Sequence, residues 1–201
     1  AVISVLSMFY GSIVAIAQDN IKRMLAYSSI SHAGYLAIGL AAGNHDAVAG
    51  VIFYLAAYTF MNLGAFGIVS LLEGKDETNL SINSYAGSGN RKPFLSAMLA
   101  IVMFSLAGLP PFAGFFGKYY IFIAAVKSNL TWLAILGVLS SAISVYFYLR
   151  IVVLMYFKSS ENEFEIESSN NSMLAIIFSI LVVILLGVFP GTFLDLITRF
   201  I

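Results

Sequence analysis

Seven apolar stretches, 2–18, 25–42, 47–72, 94–109, 112–126, 131–157 and 173–198, follow one another with little between them. A bilayer core takes about 20 residues of helix, with a range of about 17–25. Backbone polar groups in hydrocarbon have to be satisfied within the segment or in a closed barrel. None of the stretches alternates with the period of two that a barrel strand shows. The expected fold class is therefore all-α, a polytopic transmembrane helix bundle of about seven spans. Composition supports the choice of solvent. The chain is 60% hydrophobic and 10% charged, against about 45–50% and about 25% in globular proteins.

Residues 1–201 read as a single transmembrane domain. Two polar stretches, 73–92 (EGKDETNLSINSYAGSGNRK) and 158–172 (KSSENEFEIESSNNS), have the composition of solvated loops, and Gly43 to Asp46 is a short turn. Trp132 and the tyrosines near span ends suit an aromatic belt. The first and sixth stretches share small and Ser positions. The opening AVISVLSMFYGSIVAIA has no basic n-region, so it is not a signal peptide. It reads as a span entered partway, and the chain as the C-terminal part of a longer subunit. With the seven stretches alternating, Lys22, Arg23, Lys75, Arg91, Lys92, Lys127 and Arg199 fall on one face, and Lys158 and Arg150 on the other. Positive-inside then puts the first face and the C-terminus in the cytoplasm.

Several functions are excluded. Ten basic against ten acidic residues leave no polycationic face for nucleic acid. Zero cysteines exclude a disulfide framework, thiolate zinc sites and iron–sulfur ligation. Two histidines, one of them in a turn, are a poor haem pair. There is no dinucleotide fingerprint and no Ser-His-Asp set. No cofactor or metal site is expected in this chain, and its readable chemistry is proton or ion handling.

Ionisable groups in apolar context carry that reading. A charge inside the membrane costs about 2.5–3.5 kcal/mol on insertion scales and by default marks a pathway. Lys118 is the clearest case. Residues 94–126 as one straight helix would run about 50 Å, too long for a core of about 30 Å. The stretch must break, and Gly108, Pro110, Pro111, Gly114 and Gly117 supply the break, through lost donors and tolerated unwinding. Lys118 lies about 10 Å along the helix from Pro111. A lysine beside a discontinuous helix is how transporters build an ion site at the midplane; the alternative is a lysine snorkelling to an interface. GFFGK is not a phosphate loop, because no Ser or Thr follows the lysine and no strand precedes it.

Asp19 precedes Lys22 by three and Arg23 by four, the helical spacing of ion pairs. The plain alternative is a turn with its usual basic residues. In Tyr27-Ser-Ser-Ile-Ser-His-Ala-Gly-Tyr35, Ser28 and His32 are four apart, and Tyr27, Ser31 and Tyr35 repeat every four. The two rows form one polar stripe that has to face protein or water. His32 either relays protons, since imidazole titrates near neutrality, or is helix glue hydrogen-bonded to Ser28. Tyr54, Tyr58 and Asn62 make a similar row that reads as glue. Arg150 either snorkels or sets the field near a pathway, and His45, beside Asp46, reads as solvated.

The motifs Asn20-Ile-Lys-Arg-Met-Leu-Ala-Tyr-Ser-Ser-Ile-Ser-His-Ala-Gly-Tyr35 and Leu106-Ala-Gly-Leu-Pro-Pro-Phe-Ala-Gly-Phe-Phe-Gly-Lys118 resemble those of the antiporter-like subunits of respiratory complex I. Ser-His-Ala-Gly-Tyr, and lysine rather than glutamate at 118, resemble the N type of bacterial NADH–quinone oxidoreductase. The resemblance implies half of a fourteen-helix fold with inverted repeats, here its eighth to fourteenth helices. Lys22 would match a lysine on helix eight, Lys118 the lysine of the broken helix twelve, and His32 a Ser-rich histidine motif, all in proton transfer. It implies a proton-translocating membrane-arm subunit in the bacterial plasma membrane, with a periplasmic C-terminus. Its partners would be the other membrane-arm subunits and lipid, with FMN, iron–sulfur clusters and quinone held by partner subunits. Charge movement at the quinone site would change protonation at Lys22 and Lys118. The physics permits it. An ordinary lysine, of pKa about 10.4, costs about 4.6 kcal/mol to neutralise at pH 7, and keeping it charged in the membrane costs about 3 kcal/mol or more. A neighbouring charge can decide between the two forms. The rival readings are a subunit of a cation/proton antiporter complex and a purely structural membrane subunit.

Overall fold

A computed structural model describes residues 1–73, 79–159 and 170–201. The helices are α1 (Val2–Ile16), α2 (Ile21–Ala42), α3 (His45–Leu72), α4 (Ser88–Arg91), α5 (Pro93–Ala107), α6 (Ala113–Lys127), α7 (Thr131–Phe157), α8 (Asn170–Val188) and α9 (Pro190–Thr198), with a 3-10 turn at Ile82–Tyr85. Among the described residues there is no β-strand, only an isolated bridge between Asn20 and Ser81.

Local chemistry sets the ends. Asn20 caps α2, its side chain accepting from the Arg23 N–H at 3.1 Å. Asn44 does the same for α3, accepting from the Ala47 N–H at 2.7 Å. Between these caps Gly43, at φ +62°, stops α2. Pro93 and Pro190 open α5 and α9, where a missing N–H costs nothing.

All seven apolar stretches are helical, but they make six crossings. α5 begins beside the end of α7, where the Gly87 N–H donates to the Leu154 carbonyl at 3.1 Å. α6 ends beside the α2–α3 turn, where Lys127 pairs with Asp46 at 2.5 Å and the Ser128 hydroxyl donates to the Ala42 carbonyl at 2.8 Å. The two half-helices therefore lie in series within one crossing, and the count of helices eight to fourteen is one too many. The assignment of Lys22 to an eighth helix goes with it.

This changes the charge tally. Lys127 stands on the face of Asp46, opposite Lys22. Lys158 stands with Gly87 and Arg91, lining the same surface cavity on the Lys22 face. Arg150 also points to that face, pairing with Asp19 at 3.5 Å. Lys75 lies outside the described residues, as does most of 160–172. The rest of the first polar stretch is not a solvated loop. Ile82, Tyr85, Ser88 and Gly89 are buried, and the Ser96 hydroxyl donates to Ser88 at 3.1 Å. Small side chains let this polar segment pack as a lid on the bundle end.

α3 runs through the centre, against α2, α5, α6 and α8. α1 and α2 approach closely because a Cβ at Gly11 or Gly34 would collide with Ser31 or Met8, the small-residue contact of membrane helices. Serines shared by the first and sixth stretches meet across the bundle. Ser12 lies 3.0 Å from Ser31 and 3.3 Å from Ser140, oxygen to oxygen. Each such bond contributes about 0.6 kcal/mol.

Candidate proton-transfer site

Lys118 stands in the second turn of α6 with 4% of its surface exposed. It does not snorkel outward. Its side chain turns back across the break between the half-helices, and Nζ donates to the carbonyls of Leu106 and Ala107, each at 3.2 Å, and to Ser141 Oγ at 2.9 Å. Those carbonyls belong to the last turn of α5, where no intrahelical donor remains and the helix dipole is negative. The broken helix thus builds a cation cradle from its own backbone. The ring of Tyr35 closes one side, its centroid 4.8 Å from Nζ, an added cation–π contribution.

Gly108 makes the approach possible. It takes the left-handed conformation, φ +83° and ψ +38°, that ends α5, and a Cβ there would stand 3.1 Å from both Cδ and Nζ of Lys118. The Gly114 N–H, at the start of α6, donates to Ser105 Oγ of α5 at 3.1 Å, which stitches the two halves together.

His32 lies in the middle of α2, 1% exposed. Its Nδ1 is 2.5 Å from the Tyr54 hydroxyl and its Nε2 3.0 Å from the Tyr148 hydroxyl. A neutral imidazole offers one donor and one acceptor, so one tyrosine donates to it and the other accepts; an imidazolium donates to both. The ring is satisfied in either state, which is what a relay needs. Tyr58 stacks on it at 4.7 Å. Tyr35 links the two centres, its ring edge-on to His32 at 5.8 Å and under the Lys118 ammonium.

The structure therefore brings His32 and Lys118 to one buried cluster. It leaves Lys22 in the first turn of α2, about 15 Å along the helix from His32. There Lys22 pairs with Glu73 at the bundle end, the two side chains 33% and 15% exposed. Asp19 is not its partner. The Asn20 cap ends the helical register before Asp19, so the three- and four-residue spacings do not apply, and Asp19 meets Arg150 instead. Ser28 is not the glue of His32, because its hydroxyl donates to the Leu25 carbonyl at 2.7 Å. The row read as glue in α3 holds functional candidates. Tyr54 bonds the histidine, and Tyr58 and Asn62 line a cavity of about 750 Å³ between α3 and α8. The buried Tyr58 hydroxyl has no hydrogen-bond partner among the described residues. Tyr148, Ser141 and Glu73 had no signal in the sequence beyond being polar residues in or beside apolar stretches.

A buried ammonium on a broken helix, next to a histidine held between two hydroxyls, is an arrangement able to hold and pass protons inside a polytopic helix bundle. The chain matches the family described as NADH:quinone oxidoreductase/Mrp antiporter, transmembrane, over residues 1–144, and it belongs to that family. It is 52% identical over 164 residues to the NADH-quinone oxidoreductase subunit N of Trichlorobacter lovleyi, covering 82% of this chain and 34% of that protein. A chain of respiratory complex I from Thermus thermophilus, solved with bound NADH, superposes with a TM-score of 0.84 at 30% identity, over 97% of this chain and 42% of that one. A chain of the Mrp complex from Dietzia sp. DQ12-45-1b gives a TM-score of 0.85 at 19% identity, over 98% and 45%, a likeness of fold alone. The chain spans 34–41% of the length of such curated relatives.

Proposed function

We propose that this chain is a proton-handling part of a membrane-arm subunit of a bacterial NADH–quinone oxidoreductase. In this reading the subunit couples electron transfer from NADH to quinone to proton movement across the plasma membrane. The observation that carries it is the Lys118 ammonium, buried in apolar surroundings and held by the Leu106 and Ala107 carbonyls of a broken helix. Identity to a subunit N at 52% over 82% of this chain favours this reading over a cation/proton antiporter complex.

Lys118 acts as the proton carrier and His32, between Tyr54 and Tyr148, as the neighbouring relay. Lys22, ion-paired with Glu73 at the bundle end, exchanges protons with the aqueous side. FMN, iron–sulfur clusters and quinone belong to partner subunits, and the other membrane-arm subunits and lipid surround this one. Lys22, Arg23, Arg91, Lys92 and Lys158 gather on one face, so positive-inside makes that face cytoplasmic. The C-terminus, one crossing beyond Lys158, is then periplasmic, as the family resemblance implies.

The test is Lys118→Ala in the full-length protein within the assembled complex, with NADH-driven proton uptake measured in reconstituted vesicles. Uptake falls by about a hundredfold if the lysine is a positioned proton-transfer group, with assembly retained. Wild-type uptake refutes the role.

A further inference from the structure

We propose that Ser141 is the relay residue through which Lys118 takes up and gives off its proton. The inference rests on Lys118 carrying that proton, and it comes from the chemistry of the three groups around Nζ. An ammonium has three N–H donors, and Leu106 O, Ala107 O and Ser141 Oγ supply three acceptors at 2.9–3.2 Å. A neutral amine has two N–H donors and one lone pair. Carbonyls only accept, so they keep the two remaining N–H bonds and can do nothing for the lone pair. A serine hydroxyl both donates and accepts. Ser141 is therefore the one described contact of Nζ that fits both protonation states, by turning its O–H from one role to the other.

Position points the same way. Leu106 and Ala107 are each 1% exposed and Lys118 4%. Ser141 is half-buried, on the edge of α7 between buried Ser140 and exposed Ala142. It touches the ammonium on one side, and its other side is not enclosed by the described helices. Ser140, one residue earlier, turns instead into the core, donating to the Met8 carbonyl at 3.1 Å.

The step balances without any further reagent than water. One Nζ–H bond breaks as an O–H bond forms on Ser141, and the hydroxyl's own proton passes to a water molecule hydrogen-bonded to it in a polar path through the protein. The products are a neutral amine, an unchanged serine and a hydronium ion. Uptake is the reverse.

The experiment uses the full-length protein in the assembled complex, with NADH-driven proton uptake followed across pH in reconstituted vesicles. Ser141→Ala is expected to slow uptake by about tenfold and to move the pH of half-maximal uptake, which loss of packing alone does not do. Ser141→Thr keeps the hydroxyl and is expected to restore both to within about twofold of wild type. Ser141→Ala with a wild-type rate and profile overturns the proposal, as does Ser141→Thr no better than Ala. Should Ser141→Ala fail to assemble, Ser141→Cys, close in size and a weak donor, is expected at an intermediate rate; a wild-type rate overturns the relay. Lys118→Ala separates the two readings. If it abolishes uptake while Ser141→Ala is normal, only the relay falls; if it pumps as wild type, the role of Lys118 falls too.

Discussion

Replacing Gly108 by alanine perturbs the broken helix at the point where backbone and lysine meet. At φ +83° an L-residue with a Cβ carries a strain of about 1–2 kcal/mol. The new methyl would also stand 3.1 Å from Cδ and Nζ of Lys118, closer than such contacts settle, so the flexible side chain has to give. A shift that weakens one hydrogen bond to the ammonium costs about 1.5 kcal/mol, roughly tenfold in how often the head holds its proton. Gly43→Ala is the matched control. Its φ is +62°, and its nearest foreign atom would be the Leu40 carbonyl oxygen at 3.9 Å, so it adds the strain without the crowding. Thermal unfolding of the purified full-length protein in detergent should show Gly43→Ala destabilised by about 1–2 kcal/mol and Gly108→Ala by about 1.5 kcal/mol more. Proton uptake by the assembled complex should fall about tenfold for Gly108→Ala and stay near wild type for Gly43→Ala. Equal uptake in the two variants refutes the link between Gly108 and Lys118. An unchanged unfolding temperature for both refutes the left-handed strain itself.

Asn44 caps α3 and also donates to the Ala124 carbonyl at 2.9 Å and to Ser128 Oγ at 2.8 Å. Asn44→Asp keeps the cap and loses both donated bonds, so it should cost about 1–3 kcal/mol in thermal unfolding; wild-type stability would show that the clamp contributes nothing. If Lys22 gives up its proton, Lys22→His should keep more proton uptake than Lys22→Arg, because a guanidinium stays charged in a protein. If Arg equals wild type and His fails, Lys22 is a fixed partner of Glu73. The sequence has no cysteine, so single cysteines report topology. In full-length protein freed of any other cysteine, Lys158→Cys should react with an impermeant thiol reagent from the cytoplasmic side and Lys127→Cys from the opposite side. Labelling of Lys158→Cys and of Arg23→Cys from opposite sides would contradict the six crossings.

Lys118 and His32 were legible because a charge or an imidazole in an apolar run has no cheap place except a buried polar site. The break was legible for a reason of length. Their partners were not, since Tyr148 lies 116 residues from His32 and Ser141 lies 23 from Lys118. Which serine or tyrosine meets them is a matter of helix rotation, which periodicity does not fix across four or five helices. The face of Lys127 was misread because the two apolar halves of one crossing look like two spans. Residues 79–92 were misread because glycine, serine and asparagine serve close packing as well as solvation. Asp19 was paired by helical arithmetic across a residue that starts a new helix.

Lys118 is rooted in α6 and hydrogen-bonded to the end of α5, so it works as a tie rod across a joint. With its proton, two bonds hold the half-helices together and a third ties them to α7. Without it, the two carbonyl bonds can stay and the bond to Ser141 has to reverse or open, so the change falls on the tie to α7. If Lys118 carries the proton as proposed, a shift of either half-helix against α7 changes how well Ser141 fits the charged head, and so its proton affinity. On that reading, the geometry of the joint and the protonation of one amine are coupled.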